Sequence, residues 1–140
     1  MESTPAERLL PQLLAAAQAA RQRAYAPYSN FAVGAALLDE QGRIHAGCNV
    51  ENAAYPEGLC AEAVALGQLV LAGGTRVLAA LVAGESVTPI TPCGGCRQKL
   101  REFAAGNAPV WSANGHGVVA RHTLGELLPA GFGPDHLGPR

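Results

Sequence analysis

Apolar and polar positions follow helical periodicity in some stretches of the chain and short strand-like runs in others, and the changes between them mark the elements. Residues 5–24 read as helix, and Thr4-Pro5-Ala6-Glu7 has the form of a capping box with proline in the first turn. Pro11 interrupts that run. Inside a helix it removes a hydrogen bond and collides with the preceding turn, so either the helix kinks there or it begins at Pro11. Residues 25–30 form a connecting loop. Residues 31–38 are a short apolar run that meets the turn-like Asp39-Glu40-Gln41-Gly42, and 43–49 follow as a second run, which predicts a β-hairpin. Residues 49–59, with Pro56 and Gly58, are irregular. Val64, Leu66, Leu69 and Val70 suit a buried helix over 60–71, stopped by Gly73-Gly74. A strand is expected over 77–83, a helix from Pro92 through Cys93 to about Ala105, and strands over 109–112 and 117–121. A last helical turn or two spans 123–128, with Thr123 and Glu126 as a second capping box.

Strands alternating with helices imply a mixed sheet of about five strands covered on both faces, an α/β fold in three α-β-α layers. There is neither an internal repeat nor a long linker. The expectation is one domain over residues 1–140, with a Gly/Pro-rich tail from about 129.

Composition narrows the partner. Hydrophobic residues make up 49% and charged residues 15% of the 140, which is globular, and the formal net charge is −1 with scattered basic residues. A protein that grips a nucleic-acid backbone needs a basic stripe, and none is visible, so a small molecule is favoured. No apolar run approaches membrane-spanning length and no stretch at the N-terminus reads as a signal peptide, so the expectation is a cytoplasmic protein without a membrane partner. Thiols stay reduced there, and four cysteines point to metal or catalysis before disulfides.

The chemistry concentrates in Cys60-Ala61-Glu62 and Pro92-Cys93-Gly94-Gly95-Cys96. Zinc binds thiolates well, and a catalytic zinc site offers three protein ligands and keeps a fourth position for water. All three cysteines fall at or near expected helix starts, where the partial positive charge favours thiolate. Glu62, two residues past a ligand, can reach a water on the metal without binding the metal itself. A lone Cys93-x-x-Cys96 also fits a redox pair or half of a closed structural site, whose fourth ligand Cys48 or a histidine could supply. Cys48 is read as a buried thiol, Trp111 as core, and the four histidines receive no role.

A Cys or His ligand with Glu two residues on, then P-C-x-x-C, is the recognised signature of zinc deaminases. The chain resembles the small homotetrameric cytidine deaminases along nearly its whole length. The resemblance is carried by Tyr25-Ala26-Pro27-Tyr28-Ser29, by residues 31–37 and 47–55, by both cysteine motifs with Arg97-Gln98, and by Glu126-Leu127-Leu128-Pro129 before Phe132. It implies one zinc per subunit on Cys60, Cys93 and Cys96, with Glu62 moving the protons. It further implies that Phe31 packs on the pyrimidine, Asn49 and Glu51 bind ribose hydroxyls, and Ala61 contacts the base edge through its backbone. Tyr55 and Phe132 would complete a neighbouring subunit's pocket in a homotetramer with shared sites. The reaction implied is hydrolytic deamination of cytidine or 2′-deoxycytidine to the uridine product and ammonia, a step of pyrimidine salvage.

One position departs from the family pattern. Three thiolates on Zn²⁺ leave a formal charge of −1, and many members carry an arginine directly after the catalytic glutamate. Here that position is Ala63, so helix-end N–H groups and Arg97 are the expected compensators. Three other readings share parts of the pattern. Residues 60–67 resemble blasticidin-S deaminases about as well, although Phe31 and residues 49–55 favour cytidine. A deaminase of bases within RNA or DNA would need backbone contacts. A non-enzymatic zinc module would need a fourth protein ligand.

Overall fold

The computed structural model describes residues 2–139. The sheet has five strands: β1 (Val33–Asp39), β2 (Ile44–Cys48), β3 (Val77–Gly84), β4 (Pro109–Asn114) and β5 (Gly117–Thr123), in the order β2-β1-β3-β4-β5. Only β3 and β4 run parallel; the other neighbours are antiparallel, so the sheet is mixed. The helices are α1 (Pro5–Arg8), α2 (Leu10–Arg21), α3 (Ala61–Leu71), α4 (Gly94–Arg101) and α5 (Leu124–Leu127).

Alternation along the strands explains the layers. On β1, Ala35 and Leu37 face one way and join Ala65 and Leu69 of α3 and Leu100 of α4. Ala36 and Leu38 face the other way and join Leu13 and Ala17 of α2. β3 divides likewise, Ala80 and Val82 to the first layer and Ala79, Leu81 and Ala83 to the second, as a strand buried on both faces must. Trp111, 3% exposed, is core as expected. Among the described residues, no helix is long and apolar enough to cross a membrane.

Several boundaries depart from the sequence reading. The first helical run is two helices broken at Leu9, whose φ of −93° and ψ of 4° interrupt the ladder, and Pro11 sits in the first turn of α2. Proline is harmless there, because that N–H has no intrahelical partner. α4 stops at Arg101 rather than near Ala105, because the carbonyl of Phe103 accepts the N–H of Val77 at the start of β3. Short 3₁₀ turns at Tyr55–Glu57 and Pro134–Leu137 lie in stretches where no element was expected. Both capping boxes are present, Thr4 with Glu7 and Thr123 with Glu126.

A buried carboxylate closes the hairpin. Asp39 is fully buried and accepts hydrogen bonds from the N–H of Gln41 (2.8 Å) and Arg43 (2.9 Å), from Arg43 Nε (2.7 Å) and from His45 Nε2 (2.8 Å). Burial alone would raise its pKa. The hydrogen bonds from His45, Arg43 and Gln41 outweigh that and hold it down to about 2. A carboxyl with a depressed folded pKa adds stability that is full above its ordinary value of 3.8 and is lost as pH falls through about 2. Asp39→Ala should therefore lower unfolding stability at pH 7 by about 2–3 kcal/mol in urea denaturation. The variant should also lose the acid sensitivity that this shift predicts for the wild type between pH 4 and 2; an unchanged midpoint would contradict this assignment.

Candidate metal centre and nucleoside cavity

Cys60 is the N-cap of α3 and Cys93 the N-cap of α4, with Cys96 in the first turn of α4. Two helix starts thus converge on one point, as the cysteine spacing implied. What holds α3 there is Gly47 of β2: a Cβ at that position would collide with the backbone of Ala65 and Ala61, so only glycine lets the helix lie this close. Arg97 fixes the other arm. Its Nε donates to Pro92 O (2.6 Å), Nη2 to Thr91 Oγ1 (2.8 Å) and Nη1 to Leu127 O (2.8 Å), tying the strap before Cys93 to α5. These bonds position a ligand-bearing segment; among the described residues no hydrogen bond joins the guanidinium to a cysteine sulfur.

The Sγ atoms of Cys60, Cys93 and Cys96 all lie within 4.8 Å of one another. Cys60 and Cys93 are 3.8 Å apart. Zn–S bonds of about 2.3 Å in a tetrahedron separate two sulfurs by about 3.8 Å, so the spacing suits the ion. The electrostatics agree. Burial raises the Cys96 thiol well above its ordinary value, and the neighbouring Glu62, Cys60 and Cys93 raise it further. Burial raises Cys60 as well. For Cys93 burial opposes ionisation, but hydrogen bonds from the Cys96 N–H and from the other two thiols bring its pKa below the usual thiol value. Acidic groups crowded this closely ionise together only around a cation. Cys48, half-buried, is not part of the cluster, and among the described residues no fourth His, Cys, Asp or Glu completes it.

Glu62 lies in the first turn of α3 and is 6% exposed. Burial raises its pKa, opposed by hydrogen bonding from its own backbone and Cys96 and by the charge of Lys99. It lines a cavity of about 540 Å³ together with Cys60, Ala61 and Cys93. The far wall brings in Phe31, Asn49, Glu51 and Tyr55. Phe31 is 38% exposed and belongs to the cavity rather than to the core. Asn49 Oδ1 accepts from Val33 N (2.9 Å) and its Nδ2 donates to Phe31 O (2.8 Å), leaving one amide N–H for a ligand. Glu51 Oε1 accepts from Tyr28 N (2.9 Å) and Ser29 N (3.1 Å), and Oε2 from Ser29 Oγ. Hydrogen bonds from the Ser29 hydroxyl and N–H hold its carboxyl below the usual range. Phe132, 55% exposed, lies outside this cavity and stacks on His136 at 5.0 Å. Sequence reasoning missed the part played by Ser29, since a serine in a loop carries no spacing signal.

Three converging thiols without a fourth protein ligand among the described residues, a buried carboxyl beside them and an adjoining cavity define a hydrolytic zinc centre of the deaminase type. Comparison with known proteins agrees. Residues 8–111 match the family model described as the cytidine and deoxycytidylate deaminase zinc-binding region. A cytidine deaminase of Sporosarcina psychrophila is 43% identical over 126 residues, covering 90% of this chain and 93% of that protein. The crystal structure of cytidine deaminase from Burkholderia pseudomallei superposes with a TM-score of 0.82 at 46% identity, covering 87% of this chain and 98% of that one. The cytidine deaminase structure from Mycobacterium tuberculosis gives a TM-score of 0.76 at 40% identity, covering 88% and 96% respectively. The chain belongs to the zinc-dependent cytidine deaminase family.

Proposed function

We propose that this chain converts cytidine, 2′-deoxycytidine or both to the uracil nucleoside and ammonia, with Cys60, Cys93 and Cys96 holding one zinc per subunit. The observation that carries the reading is the buried Glu62 at the junction of the three thiols and a cavity walled by Phe31, Asn49 and Glu51. Zinc, when bound, acidifies a water so that it is nucleophilic near neutral pH. Glu62 would take a proton from the attacking water and deliver it to ring N3, which would leave C4 open to attack by the oxygen. Glu62 then carries the proton of the new C4 hydroxyl to the amino group. The C–N bond breaks, ammonia leaves and the C4 carbonyl forms. A carboxyl whose pKa is raised by burial both accepts and returns a proton readily.

The ring of Phe31 offers a flat face to the base, and the backbone of Ala61 its hydrogen-bonding edge. Asn49 and Glu51 supply a donor and an acceptor for the ribose hydroxyls. Among the described residues no Lys, Arg or His lines this cavity or the smaller one beside it, and Glu51 and Glu62 are both acidic. That favours a neutral nucleoside over a nucleotide or a polynucleotide. The same reading carries one catalytic domain working as a homotetramer in the cytoplasm. Phe132, 55% exposed and outside this cavity, supports the shared sites; Tyr55, 75% exposed, lines this chain's own cavity and so leaves its part in a neighbour's pocket to the resemblance alone.

A substrate panel tests the assignment. Cytidine and 2′-deoxycytidine should turn over at least about tenfold better in kcat/KM than cytidine 5′-monophosphate, judged from the cost of placing a phosphate beside acidic side chains with no cation among the described lining residues. Preference for the monophosphate, or for blasticidin S, would replace the reading.

A further inference from the structure

The loop 25–31 is fastened to the strand end 49–51 by more bonds than a connection requires. Tyr25 N donates to Asn49 O (3.0 Å), and Glu51 N donates to Tyr25 O (2.8 Å). Inside that frame Ser29 makes three contacts. Its N–H and hydroxyl donate to the two oxygens of Glu51, and its Oγ accepts the N–H of Phe31 at 3.0 Å. Asn30, between them, sits at φ 58°, the left-handed conformation that folds the chain back so that Phe31 N meets Ser29 Oγ. Asn49 Nδ2 then donates to Phe31 O (2.8 Å).

We propose that Ser29 is a positioning residue that couples the sugar-binding carboxylate to the base-stacking ring. This inference rests on the nucleoside reading above. Among the described residues its hydroxyl is the one group bonded both to the Glu51 carboxylate and to the backbone of Phe31, so it sets the distance between the two ends of a bound nucleoside. It also determines what Glu51 can accept. Oε1 already takes two N–H groups and Oε2 one hydroxyl, which leaves a single lone pair on Oε2 for a ribose hydroxyl. With the Ser29 hydroxyl removed, Oε2 loses its protein donor while Oε1 keeps its two N–H bonds, and the Phe31 N–H loses its acceptor at the same time.

Ser29→Ala and Ser29→Thr test this on the full-length zinc-loaded protein. Ser29→Ala should raise KM for cytidine about tenfold, on the scale of one hydrogen bond to a charged group, with kcat changed less than about threefold. The deciding readout is discrimination between cytidine and 2′,3′-dideoxycytidine, which offers no ribose hydroxyl. Ser29→Ala should narrow the kcat/KM ratio of these two by about tenfold, and Ser29→Thr, which keeps the hydroxyl, should restore it. A parallel loss on both substrates, or no change in the ratio, would overturn the positioning role while leaving the deaminase reading intact. A wild-type protein with no turnover of cytidine would overturn that reading, and this proposal with it.

Discussion

Glu62→Gln is expected to keep zinc and fold while cytidine turnover falls by about 10²- to 10⁴-fold, the range for loss of a general acid–base group. Glutamine has nearly the same shape, so the first turn of α3 should pack unchanged. Its amide, however, cannot accept a proton from water, and both transfers in the proposed reaction depend on that step. Glu62 is not one of the three clustered ligand residues, so its replacement should leave the zinc content near one per chain. Circular dichroism, metal content and the ultraviolet change from cytidine to uridine would be followed together. Turnover within tenfold of wild type would remove Glu62 from the mechanism.

The second large effect concerns the ligands. Cys93→Ala should lower zinc affinity by at least about 10²-fold, more than the loss typical of an outer-shell partner, and abolish measurable turnover. Cys93 is the informative choice because it is exposed at the start of α4, whereas Cys96 is 1% exposed and its truncation also disturbs packing. Cys48→Ala is the matched control: the same chemical change outside the cluster should leave zinc and activity unaltered. Stoichiometric zinc in Cys93→Ala would show that the ion is held elsewhere. Zinc loss in Cys48→Ala would reopen a four-cysteine structural site.

Much of this was legible in the chain because the underlying signals are local. The five strands follow from apolar runs bounded by Gly, Pro and Asp, and the convergence of Cys60 with Cys93 and Cys96 follows from cysteines placed at two helix starts. The unread parts depend on tertiary partners. Nothing near Asp39 indicates that His45 will fold over it, and a histidine without ligand spacing was given no role. The end of α4 is decided by Val77, which claims the Phe103 carbonyl from another element. Arg97 follows the second ligand motif and was expected to temper the thiolate charge. Its hydrogen bonds instead go to Pro92, Thr91 and Leu127, so its grip on the metal arm is mechanical. With Ala63 offering no charge after Glu62, the helix-end N–H groups of α3 and α4 and the ammonium of Lys99 are the nearby positive groups.

The central claim is tested most directly by incubating the purified protein with cytidine and following the ultraviolet change to uridine, with and without a strong zinc chelator. The account predicts conversion that the chelator abolishes and added zinc restores. Conversion that continues undiminished in a protein shown to contain no metal would contradict it.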